Sequence, residues 1–429
     1  MRKYHFIGIG GVGMSALARI LLEKGCQVTG SDAKESYVTK ALEKIGAKIF
    51  YTHRKENVPL DAVVVYSTAI KRSNPEWCDP MVHRSELLEE LLSEKKAILV
   101  VGAHGKTTST SLLAHITSSG DPSFVIGGFS PSLNDCNGKV GKGEFFIAEG
   151  DESDGSFLRA KPYGAIITNV DFDHLDYWKT EEALLAAYQQ FIAKVEGPLL
   201  YRYEDPWLSE WNVKGISFGE SKEADLQAKN IRGSLFDIKF QGKEYRDVRV
   251  NLLGRHNVFN ALGCFGMALM MGAHEENIRR GLQSFKGVKR RLEWKGMLQG
   301  ARIYDDYAHH PKEIAATLAA LKEAFQKERK IAVFQPHRYT RFRDFMEAFA
   351  AVWGDVDELI VTDVYSAGEA KIDGVTIEAF LKRVKRDKVT YVPREELVSF
   401  LQAKVVPNDI VITLGAGDIT KVSSDLGAL

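Results

Sequence analysis

Short, unbroken apolar runs recur along the chain at residues 4–9, 62–66, 97–101, 165–168, 331–334, 359–362 and 410–414. Stretches with the apolar spacing of amphipathic helices lie between them, among them 13–23, a helix opening near 106 and ending near 116, and 256–271. A strand with no polar face is covered on both sides, so this alternation predicts an α/β protein built on parallel sheets. Residues 231–253 read differently. Apolar and polar positions alternate there, with turn residues at Gly233-Ser234 and Gln241-Gly242, which predicts antiparallel hairpins within a middle domain.

At 429 residues the chain exceeds one ordinary core, since domains run to about 100–200 residues. Phosphate-loop signatures near the start and after residue 101, and a basic linker at 286–291, divide it into three expected domains. These are 1–94, Rossmann-like; 95–288, a P-loop ATPase-like parallel sheet; and 289–429, again Rossmann-like. The formal net charge is zero, which argues against a general nucleic-acid or membrane binder. No apolar run approaches the roughly 20 residues that span a bilayer. No signal-peptide core precedes the first strand. Cys26, Cys78, Cys136 and Cys264 are scattered and read as free thiols of a reducing compartment. The expectation is a cytoplasmic protein without membrane insertion.

Two glycine-rich loops carry the candidate chemistry. Gly8-Ile9-Gly10-Gly11-Val12-Gly13 follows a strand and opens a helix, with Asp32 ending the next strand. This is the dinucleotide fingerprint, in which backbone N–H groups and a helix N-terminus meet a diphosphate. A structural glycine turn is the alternative, and NAD and a UDP group present the same diphosphate. Gly102-Ala103-His104-Gly105-Lys106-Thr107-Thr108 carries a Gly-Lys-Thr core between strand and helix, with a shorter loop than a standard P-loop. Lys106 is placed for the ATP phosphates, and Thr107 or Thr108 for Mg²⁺. A nicotinamide dehydrogenase leaves this second loop without a purpose. A non-catalytic nucleotide switch explains both loops but not the His- and Arg-rich strand ends near the C-terminus.

An apolar strand ends in Glu149-Gly150-Asp151-Glu152-Ser153-Asp154, a place for a metal ligand beside a P-loop or simply for solvated acids. Another ends in Asp171-Phe172-Asp173-His174, where His174 is a ligand candidate. Late in the chain, His309-His310-Pro311 either caps the helix that begins at Pro311 or faces a ligand. His337, Arg338 and Arg341 follow the strand at 331–334, where α/β sheets bind ligands; a solvated basic face is the alternative. Gly415-Ala416-Gly417 follows the last strand and reads as a second ligand loop or a plain turn.

The combination of the P-loop, the run 149–154, Thr168-Asn169, Asp173-His174, Gly254-Arg255-His256-Asn257-Val258-Phe259-Asn260, Arg290-Arg291, Asp305-Asp306-Tyr307-Ala308-His309-His310-Pro311 and Pro336-His337-Arg338-Tyr339-Thr340-Arg341 resembles the Mur ligase family over the whole chain. The resemblance implies an ATP- and Mg²⁺-dependent ligase with UDP-N-acetylmuramate and L-alanine as the molecules joined. It implies that Lys106 and Thr107 hold phosphate and metal, that Glu149 and His174 join Thr107 as metal ligands, and that Asn257 contacts adenine. Arg291 and Asp306 would close on the nucleotide. Gly8, Gly10, Gly11, Gly13, Asp32 and Ser67 would hold the UDP-sugar. Tyr307, His310, His337, Arg338 and Arg341 would surround the amino acid, with His337 and His310 as alternative proton acceptors. The chain departs from the family at Gly150, usually alanine, and at Ala103, commonly threonine. The segment between Asn74 and Arg84 looks shorter than usual. Tyr188 stands where some relatives carry a modified lysine.

Overall fold

The computed structural model describes residues 2–172 and 175–428, so the expectations for Asp173 and His174 lie outside the described residues. Three sheets form. The first runs Lys48–Phe50, Gln27–Ser31, Lys3–Ile7, Ala62–Tyr66, Val82–His83, all parallel. Chain order reverses between Lys3–Ile7 and Ala62–Tyr66. That opens a crevice at the carboxyl ends of these two strands, where Gly8 and Ser67 stand.

The second sheet has ten strands and centres on Lys96–Val101, which lies between Phe145–Glu149 and Gly164–Ile167. From Leu226–Arg232 across to Ser123–Ser130 its neighbouring strands are parallel, as the apolar runs require. Antiparallel pairs close both ends: Cys136–Lys139 pairs with Ser123–Ser130, and Lys243–Arg249 with Leu235–Phe240. The second pair belongs to the hairpin region read from the alternation at 231–253. The third sheet runs Glu293–Leu298, Ala301–Asp306, Ile410–Leu414, Lys330–Phe334, Glu358–Val361, Val389–Tyr391, with only its first pair antiparallel.

The described chain packs as two compact units, one carrying the first two sheets and the other the third. In the first unit the helix Val12–Glu23 lies against the edge strand Cys136–Lys139. Buried Asn137 donates from Nδ2 to the Val12 carbonyl at 2.8 Å and to Ser15 Oγ at 2.9 Å. Gly138 permits the approach, since a Cβ there would fall 2.5 Å from the Ala16 carbonyl oxygen. A shared core runs from Leu17 and Leu21 to Leu99 and Phe146. Tyr188 is part of it, fully buried with its ring 5.4 Å from that of Phe157. No described helix is long and apolar enough to cross a membrane.

Candidate functional site

The P-loop leaves the strand Lys96–Val101 through Gly102 at φ +130°, and Gly105 at φ +84° turns it into the helix Lys106–Ile116. Neither position tolerates a side chain. A Cβ on Gly102 would fall 2.2 Å from Thr168 Oγ1, and one on Gly105 2.7 Å from Asn260 Oδ1. The neighbouring strand end holds the loop. Thr168 Oγ1 and Asn169 Nδ2 donate to the His104 carbonyl at 2.6 and 2.9 Å, and the His104 N–H donates to Asn169 Oδ1 at 3.0 Å. His104 Nε2 lies 3.1 Å from Asp171. Lys106 Nζ donates to the Gly102 carbonyl at 2.6 Å and to Glu152 Oε1 at 2.6 Å. Ala103 adds only its carbonyl, 3.4 Å from Lys106 Nζ.

Glu149 ends its strand opposite Val100 and so arrives beside the loop. It accepts from Thr107 Oγ1 at 3.0 Å and from the Gly127 N–H at 2.6 Å. A hydroxyl in the first turn of the helix and a carboxylate at the adjoining strand end form an oxygen donor set that suits Mg²⁺ with phosphate oxygens as further ligands. Thr107 and Glu149 would hold that ion, and Thr108, half-buried one position along the helix, makes the lesser claim.

The acids after Glu149 are not a solvated fringe. Glu152 is buried and pairs with Lys106, and Asp151 and Asp154 pair with Arg84 Nη2 at 2.8 and 3.4 Å. Burial pulls the Asp151 pKa upward. The Ser153 hydrogen bond and the charges of Arg84 and Lys106 outweigh it and bring it down to about 2.

In the first sheet, the Gly8 and Ile9 N–H groups donate to the Ser31 carbonyl at 2.8 and 3.0 Å, and Gly11 caps the helix Val12–Glu23. Asp32 Oδ2 accepts from the Gly10 N–H at 2.9 Å and so braces the loop itself. Ser67 starts a turn closed by the Ile70 N–H. The segment after it is pinned by buried Glu76, which accepts from Ser31, Asn57 Nδ2 and the Arg54 N–H. Burial would raise this carboxyl, but hydrogen bonds from His5, Ser31, Asn57 and His53 hold it at about 2.

In the second unit, Asp306 ends Ala301–Asp306 and accepts from the Leu292 and Ala308 N–H groups, both at 2.7 Å. Burial lifts its pKa to about 6 against the charge of Arg291. Arg290 and Arg291 both lie over the Tyr307 ring, at 4.8 and 5.3 Å, and Arg290 is also fixed by the Gly415 and Gly417 carbonyls at 2.6 and 3.1 Å. The glycine-containing segment after the last strand therefore serves as a socket for Arg290. His310 is the N-cap of Pro311–Ala324, with a capping box to Glu313. His309 instead turns toward His337, ring centroids 6.0 Å apart, and Arg341 Nη1 stands 3.5 Å from His337 Nδ1. His337 also stacks on Tyr365. Burial lowers the pKa of both imidazoles, His337 to about 4, with neighbouring His309 and the charges of Arg341 and Arg338 adding to the effect there. Exposed Arg338 takes φ +66°. Asn257 is buried and donates to the Leu253 carbonyl at 2.8 Å.

Arg84, Glu152, Asn260 and His309 are the residues that sequence reasoning passed over as site members. Three sat inside motifs already noticed. Arg84 had no local signal at all.

Three family models match in chain order: Mur ligase family, catalytic domain, at 3–96; Mur ligase middle domain at 100–268; and Mur ligase, glutamate ligase domain, at 290–417. The chain belongs to the Mur ligase family. Two similar Mur ligases are the UDP-N-acetylmuramate–L-alanine ligases of Protochlamydia amoebophila, 41% identical over 98% of this chain and 97% of that one, and of Aquifex aeolicus, 41% identical over 98% and 96%. Among solved Mur ligase structures, UDP-N-acetylmuramate–alanine ligase from Thermotoga maritima matches with a TM-score of 0.86 at 29% identity, covering 99% of this chain and 98% of that one.

Proposed function

We propose that this chain joins L-alanine to the lactyl carboxylate of UDP-N-acetylmuramate at the expense of ATP, a step of peptidoglycan precursor synthesis. The observation that carries the reading is the Lys106–Thr107–Glu149 constellation at the end of the central sheet, in a chain that also presents a second phosphate-type loop at Gly8–Gly13. A free carboxylate does not acylate an amine, because hydroxide is too poor a leaving group. Phosphorylation of the carboxylate by ATP gives an acyl phosphate. The amine then attacks its carbonyl carbon, the C–O bond to phosphate breaks, and inorganic phosphate leaves.

Lys106 serves the transferring phosphoryl group as a fixed cation, and a well-placed charge of this kind contributes roughly 3–4 kcal/mol. Mg²⁺, when bound, supplies further positive charge to the phosphate oxygens. Gly8–Gly13 takes the UDP diphosphate, and Arg341 grips the carboxylate of alanine. His337, with Arg341 Nη1 3.5 Å from its Nδ1, stands beside the carboxylate grip, where it can relay a proton from the amine.

The test is the fate of ¹⁸O placed in the lactyl carboxylate. The label should appear in released phosphate. Label retained only in the amide product and water would exclude the acyl phosphate. The peptide-accepting alternative is suggested by the fold-level likeness to a murein peptide ligase from Psychrobacter arcticus, TM-score 0.72 at 22% identity. It would show itself as turnover with a preformed peptide in preference to alanine.

A further inference from the structure

One short acidic segment holds a cation beside each of the two phosphate-type loops. Lys106 pairs with Glu152 at 2.6 Å, and Arg84 pairs with Asp151 and Asp154 at 2.8 and 3.4 Å. Arg84 belongs to the helix Arg84–Leu92 and reaches the other loop as well. Its Nη1 lies 3.3 Å from the point that a Cβ on Gly13 would occupy. A guanidinium at that place borders the backbone N–H groups at the start of Val12–Glu23, where a diphosphate would sit.

The acidic segment is itself built in. Glu152 is buried, its Oε2 has no hydrogen-bond partner among the described residues, and its carbonyl accepts from Trp178 Nε1 at 2.9 Å. Ser153 and Ser156 N–H groups hold Asp151 and Asp154 at 3.0 Å each. Asp151 lies within the field of both Arg84 and Lys106. These carboxylates occupy the positions of charge that phosphate oxygens would claim at each cation.

We infer that Arg84 is a diphosphate-binding residue of the sugar-nucleotide site, and that the segment Asp151–Asp154 couples that site to the P-loop by competing with phosphate for Arg84 and Lys106 at once. The inference rests on the UDP reading of the Gly8–Gly13 loop. A diphosphate that draws Arg84 from Asp151 and Asp154 loosens the segment that restrains Lys106, and phosphate at Lys106 does the converse. Each nucleotide therefore favours the other, by the same factor in both directions.

Calorimetric titration of the full chain tests this with UDP and with a non-hydrolysable ATP analogue plus Mg²⁺, each alone and with the other saturating. Wild type should bind each about fivefold or more tightly in the presence of the other. Arg84→Ala should weaken UDP about tenfold and, by releasing Asp151 and Asp154, bind the ATP analogue titrated alone as tightly as UDP-saturated wild type does, with no further gain from UDP; Arg84→Lys should fall between, having charge without the planar fork. The double variant Asp151→Asn with Asp154→Asn removes the competitor, so it should bind UDP more tightly than wild type and lose the mutual enhancement. Wild-type UDP affinity in Arg84→Ala, or full enhancement in the double Asn variant, would overturn the inference alone. Absence of any UDP binding by wild type would overturn the reading of the first loop and this inference with it.

Discussion

Gly150, where the family resemblance implies alanine, leaves no room for a side chain. A Cβ there would fall 2.4 Å from Val101 Cγ1 and 3.2 Å from Phe157 Cβ. Val101 is β-branched, buried and at the last position of the P-loop strand, so it has little freedom to turn away. Gly150→Ala should cost about 1–3 kcal/mol by overpacking, and Val101→Ala in the same chain should recover much of it; thermal denaturation of the single and double variants reads this directly. A second residue-scale expectation concerns His337, whose pKa burial holds at about 4 in the folded chain. An unfolded histidine takes up its proton near 6.5. Between those values the unfolded state binds more protons, so stability rises with pH across the window and is lost as pH falls from about 6.5 towards 4. Asp306, held up to about 6, acts in the opposite sense over the lower part of the same range. His337→Gln removes one of the two opposing groups, so its melting temperature should gain on wild type steadily as pH is lowered from 7 to about 4.5. A constant gap would mean that His337 titrates alike in both states.

At the scale of elements, the cap of Pro311–Ala324 separates two adjacent histidines that the sequence could not tell apart. His310 accepts from the Lys312 N–H while Glu313 accepts from the His309 and His310 N–H groups. His310→Ala should therefore lower stability by about 1 kcal/mol, the worth of an N-cap, with the KM for alanine little changed. His309→Ala, which removes a ring facing His337, should disturb the alanine KM instead. Steady-state kinetics on both variants would decide which imidazole belongs to the site, and a raised KM in His310→Ala alone would return that residue to it. The same helix shows what was legible. Pro311 at its first turn marks its start in the sequence, and the strands Ala62–Tyr66 and Ile410–Leu414 fall on the very residues of their apolar runs. Burial on both faces leaves an unbroken apolar signature. Edge strands leave none: Cys136–Lys139 reads Cys-Asn-Gly-Lys, and its place is set by Asn137 and Gly138 meeting a helix more than a hundred residues earlier. Ion pairs such as Arg84–Asp151 likewise join distant positions through the packing of two sheets, which no local pattern encodes.

At the scale of the whole molecule, one chain must bind three substrates, and each loop should fail in its own way. Lys106→Ala should abolish turnover, by several orders of magnitude, and leave UDP-N-acetylmuramate binding largely intact, because Lys106 is held by the P-loop and Glu152 while Gly8–Gly13 is braced separately by Asp32. Retained alanine-dependent phosphate release would refute the ATP-site assignment. The third substrate is argued from the second unit alone. Lys330–Phe334 is followed by Gln335, whose side-chain amide is tied to Asp418 at 2.8 Å and to the Ile419 N–H at 3.0 Å. That rigid strand end delivers His337 and Arg341 side by side next to Tyr365. An amino acid arrives with a carboxylate for the guanidinium and an amine that must lose a proton before it attacks, and an imidazole beside an arginine places a hydrogen-bond partner at each. Arg341→Ala should therefore raise the KM for alanine by about tenfold or more while the KM for ATP moves little. Because an apolar pocket discriminates by only about 1–3 kcal/mol per methylene, glycine and serine should react weakly and bulky amino acids hardly at all. Equal losses for alanine and ATP in Arg341→Ala would place this arginine outside the amino-acid site.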